Sequence, residues 1–285
     1  LVDYLSVGVL CHEFFHSLGA PDLYHSNQDT FTPVGPWDLM EWDSTTGHMT
    51  AWMKQRYVGW IASIPSATTS GAYTLNPLTS SSNNALAIPL PNTTGEFLVA
   101  EYRRQAGIFE SRLPSSGLLV YRVNPAYSGN LFGPPDEIYV FRPGGTTGTS
   151  GQISSAPYSS NATRTALAEW TDPTPFRTDG TAAGVRMYDV GAAGETISFR
   201  VCLEIPTCDG VHCGDDGCGG TCGCDDGNSC TTDACSGGTC SHTPRSDGAG
   251  CDSAGNSCMI DVCRSGQCQH EPLADGAACD ADPYT

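Results

Sequence analysis

Basic residues are scarce in this chain. Thirteen Lys and Arg stand against 31 Asp and Glu in 285 residues, a formal net charge of −18 and a pI near 4.4. So acidic a surface repels nucleic acid and anionic membrane alike, which excludes both as partners and suits an extracellular, secreted protein. Long apolar runs are also missing: no stretch nears the roughly 20 residues that cross a bilayer, so no membrane span is expected. Cysteine is nearly absent before Cys202, where only Cys11 occurs, and the remaining fourteen of 15 crowd the last 84 residues. With 39% hydrophobic residues, 33 Gly and 19 Pro, a helical bundle is excluded. The chain opens without a signal peptide, and its last cysteine repeat breaks off at Pro283-Tyr284-Thr285, so truncation at both ends is expected.

What is present begins with His12-Glu13-Phe14-Phe15-His16-Ser17-Leu18-Gly19-Ala20-Pro21-Asp22. On a helix, residues i and i+4 share a face, so His12 and His16 can aim their imidazoles at one cation. Glu13, one step round, can take a proton from a metal-bound water without itself being a ligand. Gly19 permits the left-handed turn that ends a helix and returns the chain toward the metal. Asp22 follows as third ligand, a carboxylate being acceptable to zinc at about 2.0 to 2.2 Å. Val2, Leu5, Val9, Leu10, Phe14, Phe15 and Leu18 recur at three- and four-residue steps, and no proline intervenes before Pro21, so a helix with apolar packing on either side is expected. The residues read as a zinc hydrolase site. His25, Glu41 and His48 compete with Asp22 for the third position, since some zinc peptidases use a distant glutamate. Asp29, Asp38 and Asp43 are candidates for a structural Ca2+, although they lack the alternating spacing of a calcium loop and fit turn and cap positions as well.

The H-E-x-x-H-x-x-G-x-x-D spacing resembles the metzincin zinc motif, with aspartate where most metzincins carry histidine. Pro21-Asp22-Leu23-Tyr24, Gly35-Pro36-Trp37-Asp38-Leu39-Met40 and Met49-Thr50-Ala51-Trp52-Met53-Lys54 up to Gly59-Trp60 resemble the immune inhibitor A family of secreted bacterial metalloproteases. Further matches are Phe97 to Arg103, Ser116 to Val123, Thr178-Asp179-Gly180-Thr181 and Ile197-Ser198-Phe199, so the resemblance covers residues 1–203. It implies a zinc endopeptidase acting on protein or peptide substrates outside the cell. Within it, Met40 resembles the methionine of the Met-turn, an apolar floor beneath the metal; Met49 is the alternative, and either could be an ordinary core residue. Residues 50–60 have a helical period, with Lys54 and Arg56 expected in solvent.

From residue 64 to 202 the pattern changes to short runs bounded by Gly, Pro, Asn and Ser. Leu86 to Leu90, Phe97 to Tyr102, Gly117 to Val123, Ile138 to Phe141, Val185 to Val190 and Thr196 to Val201 read as strands of an antiparallel sheet or sandwich. Beyond residue 206 two cysteine repeats follow one another, Cys224-Cys230-Cys235-Cys240 and Cys251-Cys258-Cys263-Cys268-Cys279, behind a glycine-rich knot from Cys213 to Cys222. Units of about 28 residues with almost no aliphatic core need covalent staples, which favours disulfides over metal. Their connectivity stays open. The repeats resemble cysteine-rich modules appended to secreted proteins of myxobacteria, and surface or carbohydrate contact and simple spacing are all open to them.

The expected fold class is α+β: the C-terminal part of a metzincin-like protease domain carrying the zinc helix (1–63), an antiparallel β-rich region (64–205) and a small disulfide-rich tail (206–285). The expected activity is peptide hydrolysis by a metal-activated water, with Glu13 as general base and His12, His16 and Asp22 holding Zn2+. The alternatives are a non-catalytic binding or surface protein with a truncated protease core, and a zinc hydrolase of non-peptide bonds.

Overall fold

Ser6 opens the first helix, α1 (Val7–Ser17), by accepting a hydrogen bond from Val9 N at 3.2 Å, which satisfies one of the amides a helix start leaves unpaired. Gly19, at φ +96°, ends it: Gly19 N donates to His16 O at 3.0 Å and Ala20 N to Phe15 O at 3.1 Å, and the chain reverses. No atom lies within 4 Å of where a Gly19 Cβ would stand, so its role is conformational and not one of space. A second helix, α2 (Ala51–Arg56), starts on Thr50, whose hydroxyl accepts from Met53 N. The computed structural model describes residues 6–27, 30–43, 47–93, 95–206, 208, 213–251 and 259–273. Val2, Leu5, Asp29, Cys258 and Cys279 lie outside the described residues. The chain divides into two units, residues 1–205 and 206–285.

In the first unit, β1 (Gly71–Leu75), β2 (Ala85–Pro89), β3 (Phe97–Arg103), β4 (Gly117–Val123), β5 (Ile138–Val140), β6 (Arg186–Tyr188) and β7 (Ile197–Cys202) form two antiparallel sheets. One has the order β2-β3-β4-β5 and the other β1-β7-β6. A one-turn helix, α3 (Gly107–Glu110), joins β3 to β4. The period-two geometry of a strand divides β3 and β4 between two cores. Leu98, Ala100, Tyr102, Leu118 and Val120 face the second sheet, meeting Leu75, Met187, Phe199 and Val201. Val99, Leu119, Tyr121 and Val123 face the helical layer, meeting Phe15, Leu23, Trp37, Met40 and Met53. A sheet covered on both faces explains why β4 is buried throughout and is apolar on both faces apart from Arg122, instead of alternating.

Two expectations are corrected here. Lys54 is buried, its ammonium 2.8 Å from His48 Nδ1, because α2 is only six residues long and lies against the charged face of β3. Glu101 on that strand accepts Ala51 N at 2.7 Å and the Tyr121 hydroxyl at 2.8 Å, and Arg103 bridges Glu101 at 3.1 Å and Glu110 at 2.7 Å. Burial holds Lys54 down to about 8. The apolar packing on either side of α1 is likewise one-sided: Phe15 is buried, whereas Val7, Leu10, Phe14 and Leu18 are exposed. Arg56 lies over the Trp52 ring and 3.4 Å from Glu137, with part of its side chain in solvent.

The second unit is built from small hairpins. β8 (Gly214–Asp215) pairs with β9 (Thr221–Cys222), β10 (Thr231–Ser236) with β11 (Thr239–Pro244), and β12 (Met259–Arg264) with β13 (Gln267–Pro272). The two longer hairpins have two-residue turns with positive φ, Gly237-Gly238 and Ser265-Gly266, whose twist matches that of the flanking strands. They repeat each other in detail. Cys235 faces Cys240 and Cys263 faces Cys268, while Asp233 bonds His242 and Asp261 bonds His270. The facing cysteines do not join each other. Among the disulfides are Cys208–Cys222, Cys213–Cys235, Cys224–Cys240, Cys230–Cys263 and Cys251–Cys268, with Cys202 and Cys218 disulfide-bonded as well, so each hairpin is tied to chain that precedes it.

Candidate metal centre

The helical pitch of α1 sets His12 and His16 one turn apart, and the reversal at Gly19 brings Asp22 back over them. The result is a nearly equilateral triangle. His12 Nε2 and His16 Nε2 are 3.2 Å apart, and each is 3.2 Å from Asp22 Oδ1. The other nitrogen of each ring determines its tautomer. His12 Nδ1 is 3.0 Å from Leu39 O and His16 Nδ1 is 2.8 Å from Ala20 O, and a carbonyl oxygen can only accept, so both Nδ1 atoms carry the proton. Both Nε2 atoms therefore present lone pairs, and the short contact between them is no hydrogen bond. Asp22 Oδ1 is buried and likewise has no hydrogen-bond partner. Three acceptors converge with no donor between them.

Such an arrangement is repulsive unless a cation sits in it, and its dimensions fit one. Three corners of a tetrahedron separated by 3.2 Å lie about 2.0 Å from its centre, the length of a zinc bond to imidazole nitrogen or carboxylate oxygen. Two neutral imidazoles and a carboxylate make a donor set suited to zinc and leave one tetrahedral corner open.

The surroundings hold this geometry in place. The segment from Asp38 to Met40 runs beneath α1: Leu39 O takes the His12 proton, and Met40 O accepts Leu23 N at 2.9 Å, fixing the residue after Asp22. Asp38 pins that segment, taking Met40 N at 2.9 Å and Thr50 N at 2.6 Å; its complete burial raises its carboxyl to about 6. Met40 is fully buried in the core below, and so is Met49. The Tyr24 ring lies nearly parallel to that of His12, at 6.4 Å between centroids. Partial burial, then the charges of Asp22 and Glu13, push its phenol upward. Sequence reasoning gave Tyr24 no role, and its place two residues after a candidate ligand was the available signal.

Glu13 is exposed on α1 beside His12. The competitors for the third position are engaged elsewhere. His25 is buried against Asp136 at 2.7 Å, the Glu41 carboxylate accepts Val34 N and Gly35 N at 2.6 and 2.7 Å, and His48 meets Lys54. Neither Asp38 nor Asp43 joins a cluster of metal-ligating atoms among the described residues. An apolar cavity of about 570 Å³ opens between α1 and α3, lined by Gly8, Cys11, Phe15, Leu39, Met49 and Phe109. Cys11 is a free thiol in its wall.

No curated protein and no solved structure matches the chain. Residues 3–63 match the family model of the immune inhibitor A peptidase M6 catalytic domain, so the stretch that holds His12, Glu13, His16, Asp22 and Met40 is similar to a metallopeptidase catalytic domain.

Proposed function

We propose that this chain carries the zinc centre of a secreted endopeptidase, with His12, His16 and Asp22 as ligands and Glu13 as general base. The observation that carries the reading is the 3.2 Å triangle of two Nε2 lone pairs and an unpartnered carboxylate oxygen. Zinc bound there supplies Lewis acidity, lowering the pKa of a water toward about 7 and polarising a peptide carbonyl. Glu13, in solvent next to His12, accepts the proton of the attacking water and returns it to the leaving amine. Leu39 O and Ala20 O hold the two rings in the tautomer that leaves Nε2 free. Met40, in the turn under α1, forms the apolar floor of the centre in the manner of a Met-turn. The apolar cavity shares Leu39 with the support of His12 and offers a hydrophobic side chain of a protein substrate a seat.

Secretion fits the second unit, since disulfides form and persist outside the reducing cytosol, and among the described residues no helix is long and apolar enough to cross a membrane. Glu13→Ala tests the assignment of roles. Zinc content of the purified protein should stay near one equivalent while peptide hydrolysis falls by about 10²-fold or more. Hydrolysis at the parent rate refutes the base, and a parent protein that takes up no zinc refutes the centre.

A further inference from the structure

The stretch similar to a metallopeptidase domain ends at residue 63, yet part of what holds the third ligand in place lies beyond it, in the connection between β4 and β5. Asp22 Oδ1 is buried with no hydrogen bond to direct it, so its aim at His12 and His16 depends on where the backbone sets the residue. The peptide unit that follows Asp22 is tied at both ends. Leu23 N donates to Met40 O at 2.9 Å, and Asp22 O accepts from Asn130 N at 2.8 Å. The N–H and C=O of a trans peptide point in opposite directions, so these two bonds grip one rigid plane from opposite sides.

Asn130 is wholly buried, and its side-chain amide is engaged at both ends. Nδ2 donates to Leu23 O at 3.1 Å and to Ile138 O at 2.9 Å, while Oδ1 accepts from Ile138 N at 3.2 Å. Two donations and one acceptance fix the orientation of the amide. Ile138 is the first residue of β5 and the register partner of Val123 in β4, so the side chain that reaches Leu23 is anchored on the sheet. Gly129 stands against the same peptide. Its φ is +70°, and a Cβ would come within 2.5 Å of Asp22 O and 2.7 Å of Pro21 Cβ, so both the turn and the close approach require glycine. The contact continues along the segment: Leu131 O accepts Ser26 N at 3.0 Å and Ser26 Oγ at 2.9 Å, and His25 meets Asp136 at 2.7 Å.

We infer that Gly129 and Asn130 are positioning residues of the metal centre, clamping the peptide between Asp22 and Leu23 so that the carboxylate stays against the two imidazoles. The inference rests on the zinc reading above and adds that metal affinity is set in part by a residue 107 positions from Leu23 along the chain. Three acceptors 3.2 Å apart repel one another without a cation between them. A backbone able to yield would carry Asp22 away from the histidines, and zinc would have to order it again at a cost in affinity. Gripped from both sides, the peptide keeps the ligand in its binding position and removes that cost.

The test measures the zinc affinity of the full chain by competition with a chelator, together with the visible spectrum of the cobalt-substituted protein, whose band intensities report coordination geometry. Gly129→Ala, which presses on the Asp22 carbonyl, and Asn130→Ala, which releases Leu23 O, should each weaken zinc binding by about 10-fold or more and alter the cobalt bands. Val201→Ala opens a cavity in the core between the two sheets; it should lower the Tm and leave zinc affinity and the cobalt spectrum as in the parent. Should either clamp variant fail to fold, the other decides. A parent that takes up no zinc overturns the centre and this inference with it. A parent that binds zinc no more tightly than the folded clamp variants, or a Val201→Ala protein that loses as much affinity as they do, overturns the clamp alone.

Discussion

Glu41 shows how one buried carboxyl links folding to pH. Its carboxylate oxygen accepts Val34 N and Gly35 N, yet loss of hydration outweighs those bonds and raises it from the usual 4.5 to about 8. The folded chain thus binds a proton that the unfolded chain has released throughout the interval from about 4.5 to 8, so stability falls as pH rises through that window. Glu41→Gln keeps an oxygen acceptor and has no proton to lose. Urea titrations at a series of pH values should show the parent losing stability from pH 5 to 8 by more than the variant, with the difference between them of the order of a few kcal/mol. Curves that stay parallel would mean the carboxylate is charged in the fold. His48 works in the opposite direction: burial lowers it to about 4, so its share of stability rises with pH between about 4 and 6.5, and the variant cancels that background.

At the scale of elements, the helical layer is fastened to the sheet by charge as well as by apolar contact. Glu101 projects from β3 to the N-terminus of α2, where it takes the Ala51 amide, the Tyr121 hydroxyl and the Arg103 guanidinium while wholly buried. Breaking one side of a buried ion pair strands the other, which costs about 3–5 kcal/mol. Glu101→Ala should therefore lower the urea midpoint sharply, while Thr50→Ala, which removes only the α2 cap, should cost about 1 kcal/mol. Similar losses in the two variants would show that Arg103 is stabilised well enough by Glu110 alone. α1 is held differently. Phe15 fixes one side to the core, and the carbonyls of Leu39 and Ala20 hold its histidines, while Leu10, Phe14 and Leu18 remain in solvent.

At the scale of the whole molecule, the two units are stabilised by different means. Residues 1–205 bury two apolar clusters on the two faces of one sheet, whereas the described residues of 206–285 bury little besides cysteine sulfur and Val262. Reduction should thus unfold the second unit and leave the first in place. Limited proteolysis with and without a reductant reads this directly: new cleavages should appear between residues 213 and 273, with none inside β2 to β5. Protection of the tail in the reduced protein would mean that its hairpins stand without their staples.

The local features of this chain were legible in its sequence because they depend on near neighbours. Histidines four apart on a helix must share a face, Gly19 must turn the chain, and Gly117 to Val123, apolar apart from Arg122, became β4 over the same residues. β1 went unseen because a five-residue strand with Ala72 and Thr74 toward solvent carries little apolar pattern. The cysteine spacing showed that staples were needed but could not pair them, since facing cysteines in each hairpin bond to earlier chain. Tertiary structure alone decided what depends on distant contact: Lys54 buried beneath β3, the Tyr24 ring set nearly parallel to that of His12, Leu39 O accepting from His12, and Arg122 and Arg142 enclosed in the fold. Burial and the partner across a gap set the energy of a polar group, and neither is a property of its neighbours along the chain.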